Sequence, residues 1–161
     1  MFSIFKRSKL ASPDLMYSRL FDEHSFYSAF IRDLKSAKKE VIIESPYITC
    51  RRVNQLLPVL GKLVKNKVKV TINTRNPQHH DTNLRFQAYM AFKKFRLVGI
   101  KVRTFNDYHH RKIAVIDGRI LYEGSLNILS QGRSREIMRR IESEELTKQM
   151  IGFLKLHRMF W

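Results

Sequence analysis

The stretch 109–127, HHRKIAVIDGRILYEGSLN, constrains the fold more than any other part of this 161-residue chain. The segment from Lys112 to Ile116 is apolar and rich in β-branched residues, which predicts a buried strand. Asp117-Gly118 is a two-residue turn signal, and residues 119–123 predict the returning strand. Because a hairpin brings its two open ends together, the polar residues at those ends are expected to meet in space.

Four polar side chains would converge at these ends. Residues two apart on a strand point to the same face, so His110 and Lys112 project side by side. Ser125 and Asn127 arrive from the end of the returning strand. Lysine and asparagine can hold phosphate oxygens, and an imidazole can attack phosphorus or transfer a proton. The set suits a phosphodiester and needs no divalent metal. The alternative is an ordinary Asp-Gly hairpin with scattered polar ends.

The order and spacing of these residues resemble the signature of the phospholipase D superfamily. The matching residues are His110-x-Lys112, then after four residues Asp117, then after six more Gly124-Ser125-x-Asn127. The resemblance extends from about Phe21 to the C-terminus. Glu44-Ser45-Pro46-Tyr47 is similar to the end of that family's first strand, and Ser134-Arg135-Glu136 is similar to its downstream acidic position.

The resemblance implies a role for each matching residue. His110 would be the nucleophile that forms a covalent phosphohistidine. Asp117 would brace the turn without carrying a proton, and Glu136 would orient the histidine. The residues that would bind the phosphate are Lys112, Ser125 and Asn127. Because the family's active site uses two such motifs and this chain has one, a homodimer with a shared site is expected, without a cofactor or metal.

The charge of the chain predicts a polyanionic partner. It carries 31 Lys and Arg against 14 Asp and Glu, a net charge of +17. Such an excess favours nucleic acid or an acidic membrane surface as the partner. The segment 51–103 is rich in Lys and Arg and has Asp81 as its single acid, which suits a phosphate backbone passing the site. The predicted nucleic-acid contacts in this segment are Arg51, Arg52, Arg75, Arg85, Lys93 and Lys94.

Other features weigh against competing classes of site and location. Cys50 is the only cysteine, so an intrachain disulfide or a thiolate metal cluster is excluded. The run His79-His80-Asp81 could suggest a metal site, but adjacent residues seldom share one ion and no further ligands stand at the usual spacing. A loop at the rim of the active cleft is expected there. No apolar run approaches the ~18 residues that span a bilayer, and the start of the chain lacks the order of a secretory signal. We therefore expect a cytoplasmic protein.

Strands and helices alternate along the chain, which predicts an α/β fold, a mixed sheet flanked by helices on both faces. Helices are predicted to begin near Asp22, Val53 and Asn83, and after Ser143. The last of them is predicted to bury Leu146, Met150, Phe153 and Leu154. Residues 1–20 are expected to form a basic N-terminal arm, for which a weak membrane contact is the less favoured alternative. Residues 21–161 are expected to form one phospholipase D-like catalytic domain.

Three functions compete at this point. The first is a metal-independent endonuclease that acts on DNA or RNA. The second is a phospholipid phosphodiesterase or phosphatidyl transferase with a membrane substrate. The third is a catalytically silent nucleic-acid-binding module, which the intact motif disfavours. Small size, a single motif and the +17 charge favour the first over the second.

Overall fold

The computed structural model describes residues 17–157, which contain four helices and seven strands. The helices are α1 (Phe26–Ser36), α2 (Cys50–Lys65), α3 (Thr82–Leu97) and α4 (Glu144–Leu154). The strands are β1 (Ser18–Asp22), β2 (Glu40–Glu44), β3 (Lys69–Arg75), β4 (Lys101–Phe105), β5 (Ile113–Ile116), β6 (Ile120–Gly124) and β7 (Ile137–Glu142).

All seven strands belong to one mixed sheet in the order β1-β7-β6-β5-β2-β3-β4. The strands β2, β3 and β4 run parallel to one another. Parallel neighbours need a crossover, and α2 and α3 supply the two crossovers here. The strands β5, β6, β7 and β1 pair antiparallel and attach to the parallel half through β2 and β5.

Helices cover both faces of the sheet, which confirms the predicted fold class. Along β2, Val41 and Ile43 are buried in the larger core, which they share with residues of α1, α2 and α3. Ile42, between them, is buried in a smaller core on the opposite face, together with residues of α4. A strand buried on both faces reads as a continuous apolar run, as this one does.

The N-terminal boundary differs from the expectation. Strand β1 begins at Ser18 and pairs with β7, so residues 18–20 belong to the sheet and not to an arm. Most side chains of β1 are exposed, so the segment shows no apolar alternation that sequence analysis could detect. The remainder of the expected arm, residues 1–16, lies outside the described residues.

Two helices also differ from their predicted starts or faces. Helix α1 begins at Phe26 instead of Asp22, because the Asp22 carboxylate accepts hydrogen bonds from the backbone N–H groups of His24 and Ser25 and so closes a turn. In α4, Phe153 is 83% exposed, although helical spacing predicts it in the core. Between residues 17 and 157, no helix combines the length and apolarity that crossing a bilayer requires.

Candidate active site

The open end of the β5–β6 hairpin lies at the same end of the sheet as the last residue of β2. Ile113, the first residue of β5, is opposite Glu44 of β2 and opposite Glu123 of β6. The residues that precede β5 therefore lie between the ends of β2 and β6. At the other end, the turn forms as predicted, with Asp117 and Gly118 at φ angles of 55° and 66°. Asp and Gly tolerate this left-handed backbone better than other residues.

A cleft of about 580 Å³ opens at this end of the sheet. Five of the six residues that the sequence predicts as catalytic line it: His110, Lys112, Ser125, Asn127 and Glu136. Residues separated by 26 positions in sequence thus share one surface, because the hairpin folds back and β7 then begins beside its end.

His110 and Lys112 are in direct contact. The Lys112 Nζ lies 2.7 Å from His110 Nδ1 and donates a hydrogen bond of 2.6 Å to the His110 backbone oxygen. Partial burial, followed by the positive charges of Lys112 and Arg75, lowers the pKa of His110 below its usual 6.5. The imidazole is therefore held in its neutral form, which has the lone pair that a nucleophile needs.

Ser125 and Asn127 are positioned by backbone contacts just beyond β6. The Ser125 hydroxyl accepts a hydrogen bond from the backbone N–H of Ile137 at 3.1 Å. The Asn127 backbone oxygen accepts from the N–H groups of Ser130 and Gln131, which fixes the start of the following loop. The Asn127 side-chain oxygen is buried and has no hydrogen-bond partner among the described residues. A buried polar atom without a partner is unfavourable, so this carboxamide is available to a ligand.

Gly124 lets β6 and β7 approach each other beside these residues. A Cβ atom added at Gly124 would lie 2.3 Å from the Ile137 backbone oxygen. Real atoms do not approach that closely, so a larger residue would push β7 away from the hairpin. The same approach supplies the backbone N–H that holds Ser125, so the glycine is required for the position of the serine.

Glu136 lies in the cleft, but it interacts with Lys112 and Glu23, whereas the resemblance implies that it orients His110. Burial lowers the pKa of Lys112, and the negative charge of Glu136 acts in the other direction and favours the charged ammonium. The Glu136 backbone N–H donates to Glu23 Oε2 at 3.0 Å. The His110 ring instead contacts Lys112 and packs against the Tyr47 ring, with the two ring centroids 6.0 Å apart. The orientation of His110 by Glu136 stays a prediction.

Asp117 lies at the far end of the hairpin, away from the cleft. Its carboxylate accepts hydrogen bonds from the backbone N–H groups of Lys38, Lys39 and Glu40 at 2.8, 2.8 and 3.0 Å. These bonds fasten the turn to the segment that enters β2. The contacts fit the bracing role that the resemblance implies.

A buried polar cluster behind the cleft was missed by sequence analysis. Glu44 is fully buried, and its Oε1 accepts a hydrogen bond from Asn73 Nδ2 at 3.1 Å. Its Oε2 lies 3.7 Å from the Arg111 guanidinium and 4.0 Å from His109 Nε2. Burial raises the pKa of Glu44, and burial followed by the Arg111 charge lowers the pKa of His109 to about 4. The signal available in the sequence was a glutamate directly after a buried apolar strand.

Neighbouring histidines 109 and 110 have opposite environments. His109 is 6% exposed and its ring stacks on Phe105 with centroids 5.2 Å apart. His110 is exposed at the cleft. The sequence argument that adjacent strand residues point to opposite faces predicts this difference, although these two residues precede the first hydrogen-bonded residue of β5.

Two of the basic residues expected on a nucleic-acid surface serve the fold instead. Arg52 is 8% exposed; it donates to the Gln131 backbone oxygen at 2.7 Å and lies over the Tyr27 ring. Arg85 donates to backbone oxygens in the loop 77–80. The Arg52 guanidinium is therefore packed inside the fold and is not an exposed cation, and its contact with nucleic acid stays a prediction. Arg85 is partly exposed and braces a loop.

The other four basic residues lie on three different elements of the fold. Arg75 ends β3 and influences His110, as its effect on the histidine pKa shows. Arg51 is exposed in the first turn of α2, and Lys93 is exposed on α3. Lys94 donates to the Asn54 side chain at 2.6 Å and so links α3 to α2. Within the part of the chain that the structure describes, Arg75 is the member of this set that interacts with a catalytic candidate.

The loop with His79, His80 and Asp81 forms separate contacts. The His79 ring stacks on Tyr108, the His80 ring packs against Tyr47, and Asp81 caps α3 by accepting from a backbone N–H. Within the described part of the chain, no group of three or more His, Cys, Asp or Glu residues is arranged to hold a metal ion.

Comparison with known proteins supports the same fold and family. The model of the family "Cardiolipin synthase, PLD-like domain" matches residues 30–156. A search of curated proteins found no significant match.

Solved structures resemble the chain at low sequence identity. The phospholipase D family member Nuc from Salmonella typhimurium has a TM-score of 0.73 at 17% identity, and the match covers 86% of this chain and 91% of that one. NucT from Helicobacter pylori has a TM-score of 0.67 at 17% identity, with 86% and 92% covered. Phosphatidylserine synthase from Haemophilus influenzae Rd KW20 has a TM-score of 0.63 at 18% identity. That match covers 88% of this chain and 38% of the synthase.

These structural likenesses establish the fold, and the family model covers most of the sequence that forms it, including the hairpin and every residue of the cleft. The chain therefore belongs to the phospholipase D-like phosphodiesterases, and within them to the family "Cardiolipin synthase, PLD-like domain".

Proposed function

We propose that the chain is a metal-independent phosphodiesterase that cleaves DNA or RNA internally, through a covalent phosphohistidine at His110. The observation that carries this proposal is the cleft itself. A neutral imidazole, an ammonium, a hydroxyl and a carboxamide from His110, Lys112, Ser125 and Asn127 line one surface. This set can bind a phosphate diester and attack it.

A bound phosphate would first release the histidine. In the structure the Lys112 ammonium lies against His110 Nδ1. A phosphate oxygen is a stronger partner for the ammonium than a neutral ring nitrogen, because the phosphate carries a negative charge and Coulomb attraction adds to the hydrogen bond. When Lys112 turns to the phosphate, the imidazole becomes available. The same ammonium then stabilises the negative charge that develops on the phosphate oxygens.

The reaction then proceeds in two displacements. A ring nitrogen of His110 attacks phosphorus, the N–P bond forms and the bond to the leaving ester oxygen breaks. A general acid gives its proton to that oxygen. Water next attacks the phosphohistidine and loses a proton to the group that served as acid, and the N–P bond breaks. Both groups return to their starting protonation states, as microscopic reversibility requires.

The general acid would come from a second copy of the chain. Among the residues that line the cleft, His110 is the one histidine, and His109 is buried against Phe105. A two-fold interface brings the same patch from both chains together, so it would place a second His110 opposite the first. The two imidazoles would then titrate as a coupled pair, one neutral and one protonated.

The charge of the chain favours nucleic acid as the substrate. A net charge of +17 raises the local concentration of a polyanion and speeds its encounter with the protein. Arg75 extends the positive potential from the cleft along the end of β3. A backbone of repeated phosphates benefits from these charges more than a single headgroup does.

The test is turnover in excess EDTA with labelled single- and double-stranded DNA and RNA. Cleavage of at least one of these in chelator is the expected result, because Lys112 takes the electrostatic role of a metal. Complete loss of activity in chelator, restored by one added metal, would overturn the mechanism.

A phospholipid substrate is the second candidate, favoured by the description of the matching family and by the likeness to a phosphatidylserine synthase. The same assay needs an arm with phosphatidylglycerol or phosphatidylserine vesicles. Faster turnover of lipid than of every nucleic acid would replace the proposed substrate while leaving the chemistry at His110 in place.

Mixing of subunits tests the shared site. Wild-type chains are combined with an excess of His110→Ala chains, and activity per wild-type chain is measured after subunit exchange. The activity should fall, because a mixed dimer lacks either the nucleophile or the acid. A constant activity, with a monomer in sedimentation at the assay concentration, would rule out the shared site.

A further inference from the structure

An exposed aromatic ring stands beside the cleft, already stacked. Tyr108 is 69% exposed, and the His79 ring lies nearly parallel to it, at 20° with centroids 5.1 Å apart. The Arg75 guanidinium lies 4.7 Å from the centre of the same tyrosine ring. The three side chains, called here the Tyr108 stack, come from the end of β3, the loop that follows it, and the segment that leads into the motif.

The Tyr108 stack is connected to the catalytic histidine. Arg75 donates to the Tyr47 hydroxyl at 3.4 Å, and the Tyr47 ring is 6.0 Å from the His110 ring. Tyr108 also precedes His110 by only two residues in the chain, which limits their Cα separation to about 7 Å. A substrate phosphate at His110 therefore lies within one nucleotide's reach of the tyrosine ring.

The fold does not need this arrangement for its stability. Tyr108 has a φ of 56°, a left-handed backbone that is strained for a residue with a Cβ atom. Its ring contributes nothing to either core. Two neighbouring nitrogens, Arg75 Nε and His79 Nδ1, are buried without a hydrogen-bond partner among the described residues. Strain, exposure and unpaired polar atoms together are typical of a ligand site.

A single exposed tyrosine is ordinary on a protein surface. What distinguishes Tyr108 is that its ring is held in place by a cation and a second ring before any ligand arrives. An ordered ring loses little conformational entropy on binding, and every nucleobase offers a flat face to stack on it.

We propose that the Tyr108 stack is a binding site for an unpaired nucleobase next to the phosphate that His110 attacks, so that the protein selects single-stranded nucleic acid. This inference rests on the proposed function. Bases in a duplex already stack on their neighbours and cannot reach the ring without unpairing.

The test is a cycle that removes the ring, the base, or both. The ring is removed by Tyr108→Leu, which keeps a side chain with the same backbone strain. The base is removed by replacing a short oligothymidylate with an abasic strand of equal length and charge. The control is Tyr17→Leu, because Tyr17 is also 69% exposed. It lies just before β1, whose first residue pairs with Ile141, at the end of the sheet away from the cleft.

The measured quantity is kcat/KM in EDTA for each protein and strand. Stacking of one base contributes about 1–3 kcal/mol, so Tyr108→Leu should lower kcat/KM on the oligothymidylate roughly 5- to 150-fold relative to its effect on the abasic strand. The loss should be larger in KM than in kcat. Tyr17→Leu should affect neither strand.

The possible results separate base binding by Tyr108 from a positioning role, and the base site from the nuclease function. An equal loss on both strands would mean that Tyr108 positions the catalytic segment and binds no base, which overturns the inference alone. An equal loss on a duplex of the same sequence would overturn the selection of single strands. Failure of the wild-type protein to cleave either strand, while it turns over lipid vesicles, would refute the proposed nuclease function and with it the base site.

Discussion

The two ends of the β5–β6 hairpin hold their polar groups in opposite ways. At the turn end, the Asp117 carboxylate accepts three hydrogen bonds from backbone N–H groups. Arg119, next to the turn, pairs with Glu142 of β7. At the cleft end, the buried side-chain oxygen of Asn127 has no partner among the described residues, and the pKa of His110 is lowered by partial burial and then by the cations beside it.

The difference separates stability from function within one element of structure. A satisfied carboxylate fixes the hairpin against the rest of the sheet, and removing it would leave backbone donors unpaired. Unsatisfied groups at the opposite end are unfavourable for folding, and a bound ligand would supply their partners. Such groups concentrate at functional sites for this reason.

The largest expected effect is the loss of activity in His110→Ala. Removal of the nucleophile should lower kcat by on the order of 10³-fold or more, about 4 kcal/mol in the activation free energy. The free energy of unfolding should change by less than about 0.5 kcal/mol, because the side chain is exposed. Activity is measured on the best nucleic-acid substrate and stability by urea unfolding. Near wild-type turnover would exclude His110 as the nucleophile.

The reverse pattern is expected from Asp117→Ala. Three backbone N–H groups lose a charged acceptor, and the alanine must adopt a left-handed backbone, so the free energy of unfolding should fall by about 3 kcal/mol. Activity per folded molecule should stay within a few-fold of the wild type. The matched control is Asp117→Asn, which keeps one acceptor oxygen and tolerates the backbone, and should lose roughly half as much stability. A variant that is stable but inactive would instead give Asp117 a part in the chemistry.

The hairpin and its site were predictable from sequence because their signals are local. The strand at 113–116 is an unbroken apolar run, Asp117-Gly118 can adopt the turn, and the polar residues stand at fixed distances from that turn. Once the turn forms, the meeting of the two ends follows from geometry. No knowledge of the other strands was needed.

The missed features depend on contacts between distant segments. Arg52 reads as a surface cation in a basic run, and only the approach of Gln131 and Tyr27 buries it. Glu44 meets His109 because β2 pairs with β5, a pairing of residues far apart in the chain. The Tyr108 stack likewise joins three segments. Spacing within one segment carries no information about any of these.

The smallest expected effect concerns the pH at which the cleft end becomes active. Attack requires a neutral His110, so kcat/KM should fall on the acid side as the ring becomes protonated. Burial and then the charges of Lys112 and Arg75 lower the pKa of this ring, so the acid limb of the wild-type profile should lie below pH 6.5.

Removal of one cation should move that limb in a definite direction. In Arg75→Gln the imidazolium loses a repulsive neighbour, protonation becomes easier, and the acid limb should shift upward by less than about one pH unit. Glutamine keeps a side-chain donor within reach of the Tyr47 hydroxyl. The matched control is Arg75→Lys, which preserves the charge and should leave the limb in place even if substrate binding weakens. A limb that moves equally in both variants would mean that Arg75 acts on His110 through geometry, and a downward shift in Arg75→Gln would contradict the electrostatic account of the cleft end.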